Sequence, residues 1–316
     1  MKLLVTGASG FVGRALCARF AEDGDVELVA AVRVVDDSAP TACSVRAREL
    51  LPETRWEDVL DSVDVVVHAA ARVHVRGAPQ SLAWYRRVNV EGTLNLARQA
   101  AECGVKRFVF LSSVKVNGDN SQPGRAFRAE DPPGPTDAYA VSKHEGEIEL
   151  ARVAEEQGIE IVTIRPPLVY GPGVKANFLT LMRWVYNGYP MPFARVDNRR
   201  SLIAVQNLVD LIRLCCMHPR AANETFMAAD GQGVSINELV TRLGAAMNRP
   251  ARLVPVPPKL LLALAAAVGK RHPVGKLLGN LEVDARRTRA RLDWQPPVSM
   301  DEALEATAQH FLQGMR

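Results

Sequence analysis

Tyr139 and Lys143 stand four residues apart at the start of a stretch with helical periodicity, Ala138 to Gln157. That spacing puts both side chains on one face of a helix. A phenol loses its proton poorly near neutral pH, and an ammonium group held beside it stabilises the phenolate. Such a pair can take a proton from an alcohol or return one to a ketone. Tyr-x-x-x-Lys is common by chance and usually decorates a surface. Here Ser113 adds a third group: it lies just past an apolar strand, Arg107 to Leu111, at the strand end where parallel sheets bind ligands. Its hydroxyl would bond the same reacting oxygen and help place it.

Proton transfer alone does not oxidise an alcohol, so a hydride acceptor is required. The chain opens with one strand, Lys2 to Thr6, that runs directly into Gly7-Ala8-Ser9-Gly10-Phe11-Val12-Gly13 and then a helix. Gly7 permits the tight exit from the strand, Gly10 clears the approach of a pyrophosphate, and Gly13 lets the helix pack close to the sheet. Ser9, Phe11 and Val12 complete the turn, and the free N–H groups of the helix N-terminus face the phosphates. A nicotinamide dinucleotide is the expected cofactor, with its cation assisting the Tyr139 phenolate and Lys143 bonding its ribose. A second strand, Glu27 to Val32, ends in Arg33 rather than the carboxylate that usually holds an NAD ribose. Arg33 can grip a 2′-phosphate, which favours NADP; the alternative is an exposed arginine or one paired with Asp36 or Asp37. Val63 to Val67 leads into His68-Ala69-Ala70-Ala71, where Ala69 and Ala70 leave room for a ligand across the sheet. His68, with no His or Cys partner nearby, reads as structural, and no metal site is expected.

Strands alternate with helices along this half: a helix from Phe11 to Glu22, a long one from Leu82 to Cys103, and a further strand from Ile159 to Ile164. Strands apolar throughout are covered on both faces, and the alternation implies parallel pairing by right-handed crossovers. The fold class is α/β, a doubly wound parallel (Rossmann) sheet. A third strand within Asp36 to Pro52 would be short or missing. After Pro172 the regularity fades into helices over Phe178–Asn187, Asn207–Met217, Ser235–Met247 and Ser299–Leu312, expected to form a smaller, mostly helical lobe. The division is residues 1–172 for the dinucleotide and 173–316 for the substrate, with elements of the second able to return to the first. Leu260 to Val268 is apolar between Lys259 and Lys270 but too short to span a bilayer. Packing inside the small lobe is the simpler reading of it; contact with a membrane surface is the other.

The composition sets broad limits. Of 316 residues, 47% are apolar and 23% charged, as in an ordinary globular chain. The net charge of +4 and 6% aromatic content do not identify a nucleic-acid binder. Five irregularly spaced cysteines, none in a CxxC pair, exclude a disulfide framework, and Cys215-Cys216 fall in an apolar helical run that suits a core. No signal peptide precedes the first strand, so a cytoplasmic location is expected.

The sequence resembles the extended short-chain dehydrogenase/reductase family in its nucleotide-sugar epimerase/dehydratase branch. The resemblance rests on TGASGFVG at 6–13, HAAA at 68–71, NVEGTLNL at 89–96, FLSSVKVNG at 110–118, YAVSK at 139–143, RPPLVYGPG at 165–173, NRRSLIAVQNLVDLI at 198–212 and LDWQPPVSMDEAL at 292–304. It implies Tyr139 as catalytic acid or base, Lys143 as its partner and Ser113 as the polar catalytic residue. It also implies Asn177 and Arg200 on the diphosphate of a UDP-sugar, and a homodimer built on the two long helices. The acidic pair that assists dehydration in relatives is replaced by Val114-Lys115, which argues against 4,6-dehydration. Two reactions remain at carbon 4. One is reduction of a UDP-4-keto-6-deoxy-N-acetylhexosamine with exchanging NADPH. The other is 4-epimerisation of UDP-glucose or UDP-N-acetylglucosamine with retained NAD. The missing ribose carboxylate tips the expectation to the reductase. A non-catalytic dinucleotide-binding protein is a third class, which the Ser113, Tyr139 and Lys143 set disfavours.

Overall fold

The computed structural model describes residues 1–35, 43–73, 81–267, 269 and 271–315. The chain begins β1 (Lys2–Thr6), α1 (Phe11–Ala21), β2 (Glu27–Val32), β3 (Ser44–Ala47), α2 (Glu57–Leu60) and β4 (Val65–His68). It continues through α3 (Leu82–Arg86), a π-helical turn (Arg87–Gly92), α4 (Thr93–Glu102), β5 (Arg107–Leu111), α5 (Ala138–Gln157) and β6 (Glu160–Arg165). The remaining elements are β7 (Leu168–Tyr170), α6 (Ala176–Tyr186), β8 (Leu202–Ala204), α7 (Val205–Met217), β9 (Thr225–Met227), α8 (Ile236–Ala246), α9 (Pro258–Ala267), α10 (Arg271–Leu278), α11 (Arg286–Leu292) and α12 (Met300–Gln313).

Seven strands form one parallel sheet in the order β3-β2-β1-β4-β5-β6-β9. The alternating faces of each strand feed two cores. Leu3 and Val5 point into a layer with Leu16 and Phe20 of α1 and Leu208, Leu211 and Ile212 of α7. Leu4 points the other way, with Val66, Phe108 and Phe110, onto Leu96 and Ala100 of α4 and Leu150 and Val153 of α5. Both faces are covered, which is why these strands read as unbroken apolar runs. The order reverses between β1 and β4, so a crevice opens there at the carboxyl ends of the strands.

The doubly wound sheet matches the sequence expectation, with local differences. β4 starts at Val65 because the Val63 N–H is spent on the Leu60 carbonyl and Ser62 turns through a positive φ of 57°. β3 is short and mostly exposed on the sheet edge, so it lacks an apolar pattern. The expected helix from Leu82 to Cys103 is interrupted by the π-turn.

β9 pairs with β6, and Phe226, Cys215, Cys216, Leu292 and Trp294 are buried in the first core. Residues beyond 172 therefore return repeatedly to the first core. A second core gathers Phe178 and Met182 of α6, Leu239 and Leu243 of α8, and Leu304 and Phe311 of α12. Helix α9 departs from the simpler sequence reading: among its residues only Ala265 is buried, and Val268 and Lys270 lie outside the described residues. If β9 is integral to the first core, Phe226→Ala removes a fully packed ring and lowers unfolding free energy by about 3–5 kcal/mol. Urea unfolding followed by circular dichroism measures this, and an effect under about 1 kcal/mol would place β9 outside the cooperative core.

Candidate active site

The glycine turn is a cradle of bare backbone. Gly7 turns at a φ of 69°, and a Cβ there would lie 2.7 Å from the Ala70 nitrogen. A Cβ on Gly13 would come within 2.1 Å of the Gly7 carbonyl oxygen. The first turn of α1 thus rests directly on the strand exit, and Ala69 and Ala70 at the end of β4 close the floor. Gly10 caps α1 without a side-chain bond, and no acidic residue occupies its first turn. The Phe11, Val12 and Gly13 amides precede the first helical bond, from the Arg14 N–H to the Gly10 carbonyl at 2.9 Å. Free donors with a positive helix end and no competing carboxylate fit a pyrophosphate. Ser9 is half-buried within this turn.

His68 is buried behind the cradle. Its Nδ1 is 2.8 Å from Thr6 Oγ1, its Nε2 is 3.0 Å from Thr93 Oγ1, and the Ala70 N–H donates to Thr6 Oγ1 at 3.3 Å. Burial first, and the Lys143 charge second, hold it well below the usual histidine range. It is a neutral brace between β1, β4 and α4. Among the described residues no group of three or more His, Cys, Asp or Glu side chains is placed to hold a metal.

Asp137 caps α5 by accepting from the Ala140 N–H at 2.8 Å, which starts the helix and presents Tyr139 and Lys143 in its first turns. Lys143 is 2% exposed, donates to the Leu111 carbonyl at 2.7 Å, and lies 4.4 Å from the centre of the Phe110 ring. It therefore ties α5 to the end of β5, two residues before Ser113. Ser113 caps the short 3-10 turn Val114–Val116, and its Oγ accepts the Lys115 N–H at 3.2 Å. Lys115 reaches back to Asp137 at 2.8 Å, and its ammonium is 6.0 Å from the centre of the Tyr139 ring. The structure thus gathers the Ser113 turn, Tyr139 and Lys143 at the carboxyl end of β5. Ser112 goes elsewhere: it is buried and donates to Glu147, which also holds Arg165 through two bonds of 2.9 and 2.6 Å.

The electrostatics depart from the expected picture in one respect. Burial, with Asp137 and Tyr85 next, pushes the Tyr139 phenol well above its ordinary value. Burial also pulls Lys143 down to about 7, against a smaller upward pull from Glu147. Desolvation is thus the dominant influence on both groups in the ligand-free chain, and it disfavours the charged form of each.

Several contributing residues carry no role in the sequence reading. Asn89 is buried within the π-turn; its Oδ1 accepts the Arg72 N–H at 2.7 Å, and its Nδ2 donates to the Arg72 carbonyl and to Ser142 Oγ, each at 3.0 Å. It pins the segment after β4 to the turn of α5 that carries Tyr139. An asparagine deep inside an otherwise helical run is the signal for it, because asparagine is a poor interior helix former. Tyr85 packs edge-on to Tyr139 with ring centres 6.3 Å apart.

Arg33 is exposed at the tip of β2, and Asp36 and Asp37 lie outside the described residues. Asn177 and Arg200 come together on a cavity of about 270 Å³ that Phe178, Trp184 and Leu277 also line. Asn177 is exposed at the second position of α6, whose cap is Lys175. Arg200 Nη1 donates to the Lys276 and Gly279 carbonyls at 2.7 and 2.9 Å, which aligns the guanidinium along the cavity wall.

A family model described as the NAD dependent epimerase/dehydratase family matches residues 3–229. The chain belongs to this family. The match spans the cradle, the Ser113 turn, the Tyr139–Lys143 pair and β9 of this epimerase/dehydratase-family chain. It is 42% identical over 314 residues to a UDP-glucose 4-epimerase of Vibrio cholerae, covering 98% of this chain and 95% of that one. It is 26% identical to an N-acetyl-α-D-glucosaminyl-diphospho-ditrans,octacis-undecaprenol 4-epimerase of Escherichia coli O157:H7, over 98% of this chain and 94% of that one. Among solved structures, a UDP-glucose 4-epimerase from Thermotoga maritima with UDP-glucose superposes with a TM-score of 0.80 at 21% identity, over 100% of both chains. A UDP-glucuronic acid 4-epimerase from Bacillus cereus in complex with NAD gives 0.80 at 21% identity, over 99% and 97%. At that identity the likeness carries the fold.

Two outcomes follow from the geometry. Gly13→Ala forces its methyl group into the Gly7 backbone; bound dinucleotide per chain should fall about tenfold or more, read by absorbance after denaturation, and unchanged occupancy would remove the cradle assignment. Lys143, charged in the unfolded chain but reluctant to be charged when folded, makes the fold gain stability as pH rises above about 7. Relative to Lys143→Met, the parent chain should gain about 2 kcal/mol in unfolding free energy between about pH 7 and about pH 9; parallel pH curves would contradict the depressed lysine.

Proposed function

We propose that the chain is a UDP-hexose 4-epimerase with a retained NAD. The observation that carries this reading is the end-to-end relationship to the Vibrio cholerae 4-epimerase at 42% identity, on a chain that brings Ser113, Tyr139 and Lys143 to the dinucleotide crevice. It moves the weight from the 4-keto reductase to the other carbon-4 reaction. Dehydration finds no support, because Lys115 occupies the turn after Ser113 and is bonded to Asp137.

Tyr139 takes the proton of the sugar's 4-hydroxyl as carbon 4 is oxidised and gives it back when the keto sugar has turned over. A bound NAD would supply the hydride acceptor for carbon 4 and the donor for the hydride's return to the opposite face. Ser113 Oγ already accepts from the Lys115 N–H, so its own O–H is left to donate to the sugar's oxygen. Lys143, protonated in the complex, lowers the cost of the phenolate. The cradle of Gly7, Ser9, Gly10, Phe11, Val12 and Gly13, with Ala69 and Ala70, holds the dinucleotide, while Asn177 and Arg200 hold the diphosphate of the UDP-sugar. Arg33 remains the group that would admit a 2′-phosphate. Pairing of two copies over α4 and α5 belongs to the same reading; the exposed Ile148 on α5 and Trp84 on the adjoining α3 support it.

Mass spectrometry of the nucleotide released from gently purified protein tests the proposal. Near-stoichiometric NAD is expected, with interconversion of UDP-glucose and UDP-galactose and no added cofactor. Tyr139→Phe should keep the NAD and lose about 10²–10⁴-fold in kcat. NADP at the site, or an empty site that consumes NADPH with a UDP-4-keto sugar, would return the assignment to the reductase and to Arg33.

A further inference from the structure

We infer that the α9–α10 hairpin is a docking face for an anionic lipid surface. Helix α9, Pro-Lys-Leu-Leu-Leu-Ala-Leu-Ala-Ala-Ala, contains one charged residue, Lys259. A helix so apolar around its circumference is ordinarily covered. Here Leu261 and Leu278 anchor the hairpin to the second core, while Leu260 and Leu264, one turn apart on one face, are 49% and 57% exposed. An exposed leucine face marks an interaction site.

Charge selects the occupant. From Leu239 to Leu281 the sequence has no Asp or Glu, yet it carries seven Lys and Arg residues. Two of those seven are matched to carboxylates from outside the stretch: Arg242 pairs with Asp301 at 2.8 Å and Lys276 with Asp119 at 2.7 Å. Arg252, Lys259 and Arg271 are exposed and have no carboxylate partner among the described residues. Leucines bordered by unmatched cations suit the headgroup boundary of an anionic membrane, where apolar burial and attraction to acidic lipids add. A second copy of the chain fits less well, because a twofold contact would set the same cations against one another. No helix among the described residues is long and apolar enough to cross a membrane, so the hairpin would lie in the surface.

Co-sedimentation of the full chain with phosphatidylcholine vesicles, with and without phosphatidylglycerol, tests this. The protein should sediment with the anionic vesicles only, and added salt should release it. Leu260→Glu with Leu264→Glu should abolish binding, with circular dichroism reporting the fold. Lys259→Gln with Arg271→Gln, a pair of surface changes that spares the leucines, should weaken the partition coefficient by about 30-fold. Absence of binding to anionic vesicles at low salt would overturn the inference. So would concentration-dependent self-association that the glutamate variant abolishes, since that would assign the face to a second copy.

Discussion

The buried pair of Glu147 and Arg165 holds the carboxyl ends of β5 and β6 and the start of α5 in one piece. Glu147 projects from α5, one turn beyond Lys143, and meets Arg165 from β6 through two bonds while accepting from Ser112 of the β5 exit. Arg165 continues to Asn117 Oδ1 and the Ala129 carbonyl, each at 3.2 Å, so the loop after the Ser113 turn is fastened to the same point. Both side chains are about nine-tenths buried. Removing one partner of such a pair typically costs about 3–5 kcal/mol, because the other charge is stranded in the interior. The relative position of strand end and helix start therefore depends on a contact that touches no reacting atom.

Burial works on the reactive groups in the opposite sense. The layer that locks Lys143 under the β5 carbonyl also makes its charge expensive and the Tyr139 phenol reluctant to ionise. The ligand-free site is thus geometrically prepared and electrostatically at rest. Under the proposed function, a bound nicotinamide cation would shift this balance toward phenolate and so tie proton transfer to the presence of a hydride acceptor.

Much of this was legible before any coordinates. The first sheet could be read because parallel strands covered on both faces are continuous apolar runs, and the cradle because three glycines follow the first strand at fixed spacing. Tyr139 and Lys143 were visible as a helical pair. What stayed hidden was set by tertiary contact. β9 is short, and its place in the sheet comes from pairing with β6, not from any pattern of its own. Asn89 and Glu147 act through partners 17 to 53 residues away in sequence and on neighbouring strands. The exposure of α9 could not be read from its leucines, since an apolar helix looks the same whether a core or another surface covers it.

The repeated return of the chain to the first core has a consequence for engineering. After β6 the backbone leaves for β7 and α6, comes back with α7 and β9, leaves again for α8 to α10, and returns with Leu292 and Trp294 before α12. The second core is therefore built from two insertions and a tail stitched into the fold of the first. A contiguous cassette cut at residue 172 would carry away the strand β9 and the helix α7 that packs on β4 and β5. Exchanging the second core alone with that of a relative requires several matched splices, and a single crossover at residue 172 would pair this chain's β6 with the relative's β9.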